Sequence, residues 1–404
     1  MPPGPHPEAP AGSAGALLLD LLVHGPTPRA DVARRLGLSV PSVSRLTGPL
    51  VASGRVAEGE PVAAAGLGRP SRPLDLVADA ESFAGVKLTA DAVHVVVTDL
   101  RAGVLARGSR PHGDRPGRGE GGHGGPGGRS GHGGHGRSPA AVVDAVVDLL
   151  ADVAGGRTLT GVGVTLGGRS VDGRDAHDPT FLHWDHVPLA DLLEARLGLP
   201  VTVANDVDGL TRAQAWTGAG RGVAELALVT VGAGVGLGSV VGGRLVVGRN
   251  GAAGDVGHVV VESGPEARHC PAGHLGCAAS LLTTAALAEL AGGTDGVDTD
   301  EAWHHVLARS AAGDEAAVTV ARRAGRALGR LVGTVATVQD PEVVLVAGEG
   351  AALADAVPDD VRGGLLAVAP WAGDLPVRVQ PFAFDEWARG AAAVAVHARM
   401  TRAS

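Results

Sequence analysis

Three short stretches of the sequence hold residue types that could do chemistry. Residues 199–206, Leu-Pro-Val-Thr-Val-Ala-Asn-Asp, form an apolar run that delivers an amide, Asn205, beside a carboxylate, Asp206. Ligand clefts of α/β folds form at the carboxyl ends of strands. An Asp that accepts next to an Asn that donates and accepts suits neighbouring hydroxyls of a sugar. In a phosphotransferase that carboxylate would take the proton of the attacking hydroxyl; Asn-Asp after a strand is also ordinary turn chemistry. Residues 230–238 place Gly232, Gly234, Gly236 and Gly238 at every second position after an apolar run. Such spacing lets backbone amides approach a phosphate, and it equally describes a glycine-rich hairpin. The third stretch holds Asp255, Gly257 and His258, then His269, Cys270, His274 and Cys277. One His and two Cys so close together form part of a zinc set. A closed structural site takes four ligands, which His269 or His274 could complete, and a metal-free loop is the alternative.

Positioning these groups takes an α/β scaffold, and from about Glu81 the chain alternates apolar strand-like runs with helical periodicity. Strands are expected at 83–88, 93–100, 161–166, 201–204, 226–231 and 343–347. Helices are expected at 140–153, 189–197, 281–290, 301–309, 314–338 and 385–400. Residues 112–137 interrupt the pattern. Almost all Gly, His, Arg and Pro, they carry too few apolar side chains to offset ordering entropy and are expected to be a disordered insertion, as are residues 1–12 at the Pro-rich start. A His-rich tract can bind metal but offers no fixed geometry.

Residues 13–75 read differently. A helix at 14–24, a second at 29–36, a tight turn at Gly37-Leu38 and a third helix from Ser39 follow one another. Ser39 can cap the third helix and Pro41 is tolerated in its first turn. Val43, Leu46 and Leu50 repeat at helical spacing and should pack inward. That leaves Ser42, Ser44, Arg45 and Thr47 outward, as a recognition helix in a major groove requires. Pro49 should kink or end the helix. Residues 54–62 suit a two-stranded wing, and 68–73, Gly-Arg-Pro-Ser-Arg-Pro, an extended arm that can enter a minor groove. Between Arg29 and Arg72, seven arginines against Asp31, Glu58 and Glu60 leave this segment four charges positive within a chain whose net charge is −9. The candidate DNA contacts are therefore Arg29, Ser39, Ser42, Ser44, Arg45, Thr47, Arg69 and Arg72. A small helical bundle with a solvated basic face is the plainer reading.

Composition bounds the rest. With 404 residues, 45% hydrophobic and 19% charged, the chain has room for two or three folded domains. Aromatics at 2% leave Val, Leu and Ala to fill the cores. A single lysine, Lys87, among many arginines and 64 glycines points to genomic base bias, so arginine abundance alone says nothing about phosphate recognition. No run of 18 apolar residues and no basic, apolar leader is present, so a cytoplasmic protein without membrane contact is expected. Two cysteines in a reducing compartment are not expected to form a structural disulfide.

Taken in this order, the pieces from Ala14 to Arg399 resemble the ROK family (repressor, open reading frame, kinase), specifically its regulators with an N-terminal winged helix-turn-helix. The resemblance implies an α/β, actin-like, two-lobed sugar-kinase domain over 81–404, dimeric or tetrameric, with sugar held between the lobes. Gly168-Arg169 matches a sugar-contacting Gly-Arg, and Asn205-Asp206 the sugar-binding Asn and catalytic-type Asp. Asp255 and His258 match the Glu and His of Glu-x-Gly-His, whose histidine also binds zinc. Cys270 and Cys277 match two of three zinc cysteines.

The departures shape the expected function. Where family kinases carry Asp-x-Gly-Gly-Thr, this chain reads Lys87-Leu88-Thr89-Ala90-Asp91, so a cation replaces the carboxylate and both phosphate-loop glycines are gone. Positioning of the triphosphate supplies most of phosphoryl-transfer catalysis. No ATP and no kinase activity are therefore expected; Asp206 becomes a relic base, and Gly232, Gly234 and Gly236 a relic phosphate loop. The middle zinc cysteine is Ala272 and a sugar-binding Glu is Ala279, which puts zinc retention and sugar affinity in question. The sequence thus points to a sugar-responsive repressor that binds operator DNA. A sugar kinase and a ligand-independent DNA-binding protein are the alternatives.

Overall fold

Ser13 opens the first helix as a cap, its side chain accepting from the Ala16 amide at 3.2 Å. The computed structural model describes residues 13–61, 71–112, 138–179, 181–291 and 302–402. The expected disordered stretches 1–12 and 113–137, and the candidate contact Arg69, lie outside the described residues. Among the described residues the chain divides into two units. One comprises Gly12–Val32, Ser39–Ala213 and Phe384–Ser404; the other contains Ala33–Leu38 and Gln214–Ala383.

The first unit begins with α1 (Ala14–His24), β1 (Thr27–Pro28), α2 (Arg29–Leu36), which straddles the division, α3 (Val40–Ala52), β2 (Val56–Glu58) and β3 (Pro73–Leu76). Leu17, Leu19 and Leu21 of α1 are fully buried. Ser39 caps α3 by accepting from the Ser42 amide at 3.2 Å. Two expectations for α3 are corrected. Its buried face is Val43, Thr47 and Leu50. Thr47, four residues on from Val43, lies on the same side and donates its hydroxyl to the Val43 carbonyl at 2.7 Å, so it is withdrawn from the outer face. The helix also runs through Pro49 to Ala52. Pro49 lies in the last turn, and Gly48 before it has no Cβ to clash with the ring, so a single lost amide bond is tolerated. The wing is corrected too: β2 pairs with β3, and β3 with β1, all antiparallel. The return strand thus comes from 73–76 rather than from within 54–62.

Strand β3 leads directly into the main sheet of this unit: β4 (Ser82–Leu88), β5 (Ala92–Asp99), β6 (Val104–Pro111), β7 (Gly161–Leu166) and β10 (Val201–Asn205), in the order β10-β7-β4-β5-β6. The β10-β7-β4 half is parallel and the β4-β5-β6 half antiparallel. Helices α4 (Pro139–Ala154) and α5 (Leu189–Leu197) complete the chain here, with a small hairpin, β8 (Ala176–His177) and β9 (His186–Val187). Side chains alternate across the strands. Val93, Val95 and Val97 meet Val142, Val146 and Leu149 of α4, whereas Val96 turns to the other face against Ala388 and Ala392 of the final helix, α13 (Phe384–Arg402). His112, expected within the disordered insertion, is instead ordered and buried after β6, its Nε2 3.0 Å from the Thr89 carbonyl.

The second unit is entered by α6 (Asp206–Thr217). It holds a sheet of order β13-β12-β11-β14-β15: β11 (Leu226–Val231), β12 (Val235–Val241), β13 (Arg244–Leu245), β14 (Val343–Ala347) and β15 (Val377–Val379). Around it stand α7 (Ala279–Leu282), α8 (Thr284–Leu290), α9 (Ala302–Ala311), α10 (Glu315–Gln339), α11 (Leu353–Ala356) and α12 (Pro358–Val368). The helix expected at 281–290 is two helices, because Thr283 is extended and its hydroxyl caps the second by accepting from Ala286. Val, Ala and Leu fill the core, with Trp303 its largest side chain. Among the described residues no helix is long and apolar enough to cross a membrane.

Candidate functional site

The parallel half of the first sheet brings four candidate residues to one edge. Strand β10 runs beside β7, so Asn205 registers against Leu166 and the following Gly168 lies within its reach. Asn205 donates Nδ2 to the Gly168 carbonyl at 2.7 Å, while its Oδ1 accepts from the amides of Val207 and Asp208 at 2.8 and 3.2 Å. The amide therefore caps α6 and ties two loops together. The Arg169 guanidinium is drawn to Asp178, and its backbone pairs with His177.

Asp206 does not stand alone at that edge. The Lys87 ammonium, carried by β4 two strands away, forms an ion pair with it, with both residues buried. The same ammonium lies 5.2 Å from the Trp387 ring centroid, within cation–π range. The two charges neutralise each other in place, and the second carboxylate oxygen of Asp206 accepts from the Val207 amide at 2.9 Å. Next to it is Asp208, whose carboxyl burial pushes up to about 7; Arg212 pulls it down and Asp206 pushes it further up. A carboxyl raised above its ordinary 3.8 contributes stability that is full below about pH 4 and is lost as pH rises through about 7. Asp208→Asn should abolish that fall. Its advantage over the native chain in urea unfolding should widen between pH 4 and pH 8 by on the order of 2–4 kcal/mol; parallel pH profiles would sink the idea.

In the second unit, the glycine repeat proves to be a hairpin. Val231 pairs with Val235, leaving Gly232-Ala233-Gly234 as the connection, while Gly236 and Gly238 lie within β12. The Gly236 amide is already used by the Thr230 hydroxyl at 3.1 Å. A methyl group on Gly232 would collide with the carboxylate of Glu349, so an acidic group covers that face of the turn. Asp255 is exposed in the following loop.

The His/Cys stretch of the same unit closes on itself. His258 Nδ1 lies 3.8 Å from both the Cys270 and Cys277 sulfurs, and His274 Nδ1 is 3.6 Å from Cys270. Ligands of a tetrahedral zinc ion with ordinary Zn–N and Zn–S bonds stand about 3.5 Å apart; His258, Cys270 and His274 come near that spacing, their ligand atoms all within 4.8 Å of one another, and the Cys277 sulfur adjoins His258. His274 thus brings a nitrogen donor beside Cys270, which Ala272 does not. His269 does not: its Nδ1 faces the Gly273 carbonyl at 3.0 Å. Burial raises the Cys270 thiol, yet hydrogen bonds from the His274 side chain and from backbone amides outweigh it and bring it to about 6. Burial raises Cys277.

Sequence reasoning missed the partner of Lys87, the stacked Trp387, the role of Asp208 and the carboxylate of Glu349. The isolated lysine was a signal, since an unpaired cation in an apolar strand must find an anion. Glu349 lies more than a hundred residues from the loop it covers, and no local pattern marks it.

The ROK family profile matches residues 136–394. The chain is 26% identical over 336 residues to the DNA-binding transcriptional dual regulator NagC of Escherichia coli, covering 81% of this chain and 77% of the relative. It is 30% identical over 226 residues to a glucokinase of Thermotoga maritima, covering 51% of this chain and 69% of that one. The crystal structure of a ROK family transcriptional regulator, a homologue of the E. coli MLC protein, superposes with a TM-score of 0.75 at 20% identity over 96% of each chain. With the profile covering well over half of its length, and with the actin-like sugar-kinase fold and helical N-terminal region shared along nearly the whole chain, this protein belongs to the ROK family.

Proposed function

We propose that this chain is a sugar-responsive, DNA-binding repressor whose kinase-type site no longer transfers phosphate. The observation that carries the reading is the buried Lys87–Asp206 ion pair. A general base must be free to take a proton, and here the carboxylate in that position is held by an internal cation. The carboxyl of Glu349 against Gly232 occupies one face of the turn, where a triphosphate would need backbone amides. The longer match to a regulator than to a glucokinase supports the same reading.

The winged-helix part would read DNA. Ser44 and Arg45 are exposed on α3, Ser42 is partly so, and Arg72 is exposed beside the wing. Arg29 is engaged with Glu58 and reaches the Arg72 carbonyl, so it braces the wing before it contacts a phosphate. Sugar contacts in the first unit would come from Gly168, Arg169, Asn205 and Asp206. The first unit also contains a route from ligand to reader. Glu81 binds Arg55 at the base of the wing at 2.9 Å and Arg399 of α13 at 3.0 Å, and Arg101 binds Asp75 of β3. The wing is thereby clasped to the body that carries the sugar residues, as coupling between effector and operator requires.

The test is operator affinity, measured by fluorescence anisotropy on DNA upstream of the gene and its neighbours, across a sugar panel. Arg45→Ala should weaken binding by 1–3 kcal/mol, roughly five- to 150-fold, and one sugar should shift the affinity of the native chain. Unchanged affinity with every sugar would leave a ligand-independent DNA-binding protein. Sugar-dependent release of ADP would restore the kinase.

Zinc completes the proposal. His258, Cys270, His274 and Cys277 would hold it, and a closed site of this kind cross-links its loop and fixes the ring of its histidine. Zinc-loaded protein should resist labelling of both thiols by a maleimide. His274→Ala should label rapidly and His269→Ala as slowly as the native chain; equal rates in all three would remove His274 from the ligand set.

A further inference from the structure

A second cluster of metal-type ligands stands in the first unit, away from the cysteines. Antiparallel pairing of β8 with β9 registers Ala176 against Val187 and His177 against His186. Because strand side chains alternate, the buried Ala176 and Val187 take the inner face and His177 and His186 share the outer one. Asp175, the residue before β8, completes the group: its Oδ2 is 2.7 Å from His186 Nε2. The two imidazoles lie 4.8 Å apart, tilted by 32°. One ligand atom from each of the three residues falls within 4.8 Å of the others.

We propose that Asp175, His177 and His186 form a binding site for a zinc-class divalent cation that pins β8 to β9. Two imidazole nitrogens and one carboxylate oxygen select borderline metals such as zinc, nickel or cobalt over magnesium or calcium, which prefer all-oxygen shells. Three protein ligands leave a fourth position open. The backbone that carries Asp175 and His177 is held in place. The Asp175 amide donates to the Asp172 carboxylate at 3.2 Å, and the His177 backbone exchanges two hydrogen bonds of 2.9 Å with Arg169. A cation here would therefore stiffen the backbone that presents Gly168 and Arg169. That last consequence rests on the sugar-binding reading; the metal site itself does not.

The test uses the full chain without DNA or sugar. Crystals grown with zinc should give, in an anomalous difference map at the zinc edge, a peak bonded to His177, His186 and Asp175. At micromolar zinc, His186→Ala and Asp175→Asn should each bind one zinc per chain fewer than the native protein. His183→Asn, a neighbouring exposed histidine outside the triad, should bind the full complement. Should His186→Ala fail to fold, His186→Gln and the map of the native protein still decide the matter. A map with zinc at Cys270 but none at His177, or an undiminished zinc content in both triad variants, overturns the site.

Discussion

Lys87→Met is expected to cost on the order of 3–5 kcal/mol of unfolding free energy at neutral pH, because it strands the buried Asp206 carboxylate. The methionine fits the space of the lysine stem but offers no cation. Asp206 would then sit beside Asp208, whose carboxyl is already pushed up to about 7 by burial and by Asp206 itself. Once the Lys87 cation is gone, two neighbouring buried carboxyls cannot both stay ionised, so one takes a proton. The damage should therefore shrink as pH is lowered. The double variant Lys87→Met/Asp206→Asn should recover most of the loss, since replacing both partners of a buried pair removes the uncompensated charge. Urea unfolding of the four chains of this cycle gives the coupling directly. A Lys87→Met chain within about 1 kcal/mol of the native one would show that the pair is solvated rather than buried.

Gly163→Ala should be nearly as damaging, through packing rather than charge. A methyl group there would fall on the carbonyl of Ala391, and one on Gly85 would fall on the backbone of Ala388 and Ala392. Helix α13 thus lies with its backbone directly on β4 and β7, and backbone cannot swing aside as a side chain can. A loss of about 3 kcal/mol, the upper range for overpacking, or failure to accumulate soluble protein is expected. Gly363→Ala provides the control. It lies in α12 with nothing within 4 Å of the added carbon, so it should be neutral or stabilising by up to about 1 kcal/mol. Equal unfolding midpoints for the two variants would mean that α13 shifts freely on the sheet.

The parts of this structure legible in the sequence are those with local causes. Helices α1, α2 and α5 and strands β7, β11 and β14 lie where periodicity and flanking glycines put them. Each has a strong apolar repeat of its own. Strands β6 and β12 escaped, because β6 is an edge strand of alternating polar residues and β12 is rich in glycine. Thr47 was misplaced because spacings of three and four both satisfy a helical repeat, and only the neighbouring helix decides between them. The candidate ligand residues were found as types; their partners were not. His274 and His269 are indistinguishable by spacing, and the fold separates them by turning one ring to a carbonyl and the other to the Cys270 thiol. The Asp175, His177 and His186 group depends on a hairpin of two-residue strands, too short to announce itself.

The place of α13 has a consequence for how the protein is born. The helix is translated after 214–383, yet it covers β4, β5, β7 and β10 and rests against α1. On the ribosome, the glycine-lined face of that sheet must wait for α13 through the synthesis of residues 214–383. Helix α1, against which α13 rests, therefore gains its final footing only when the last residues of the chain have been made.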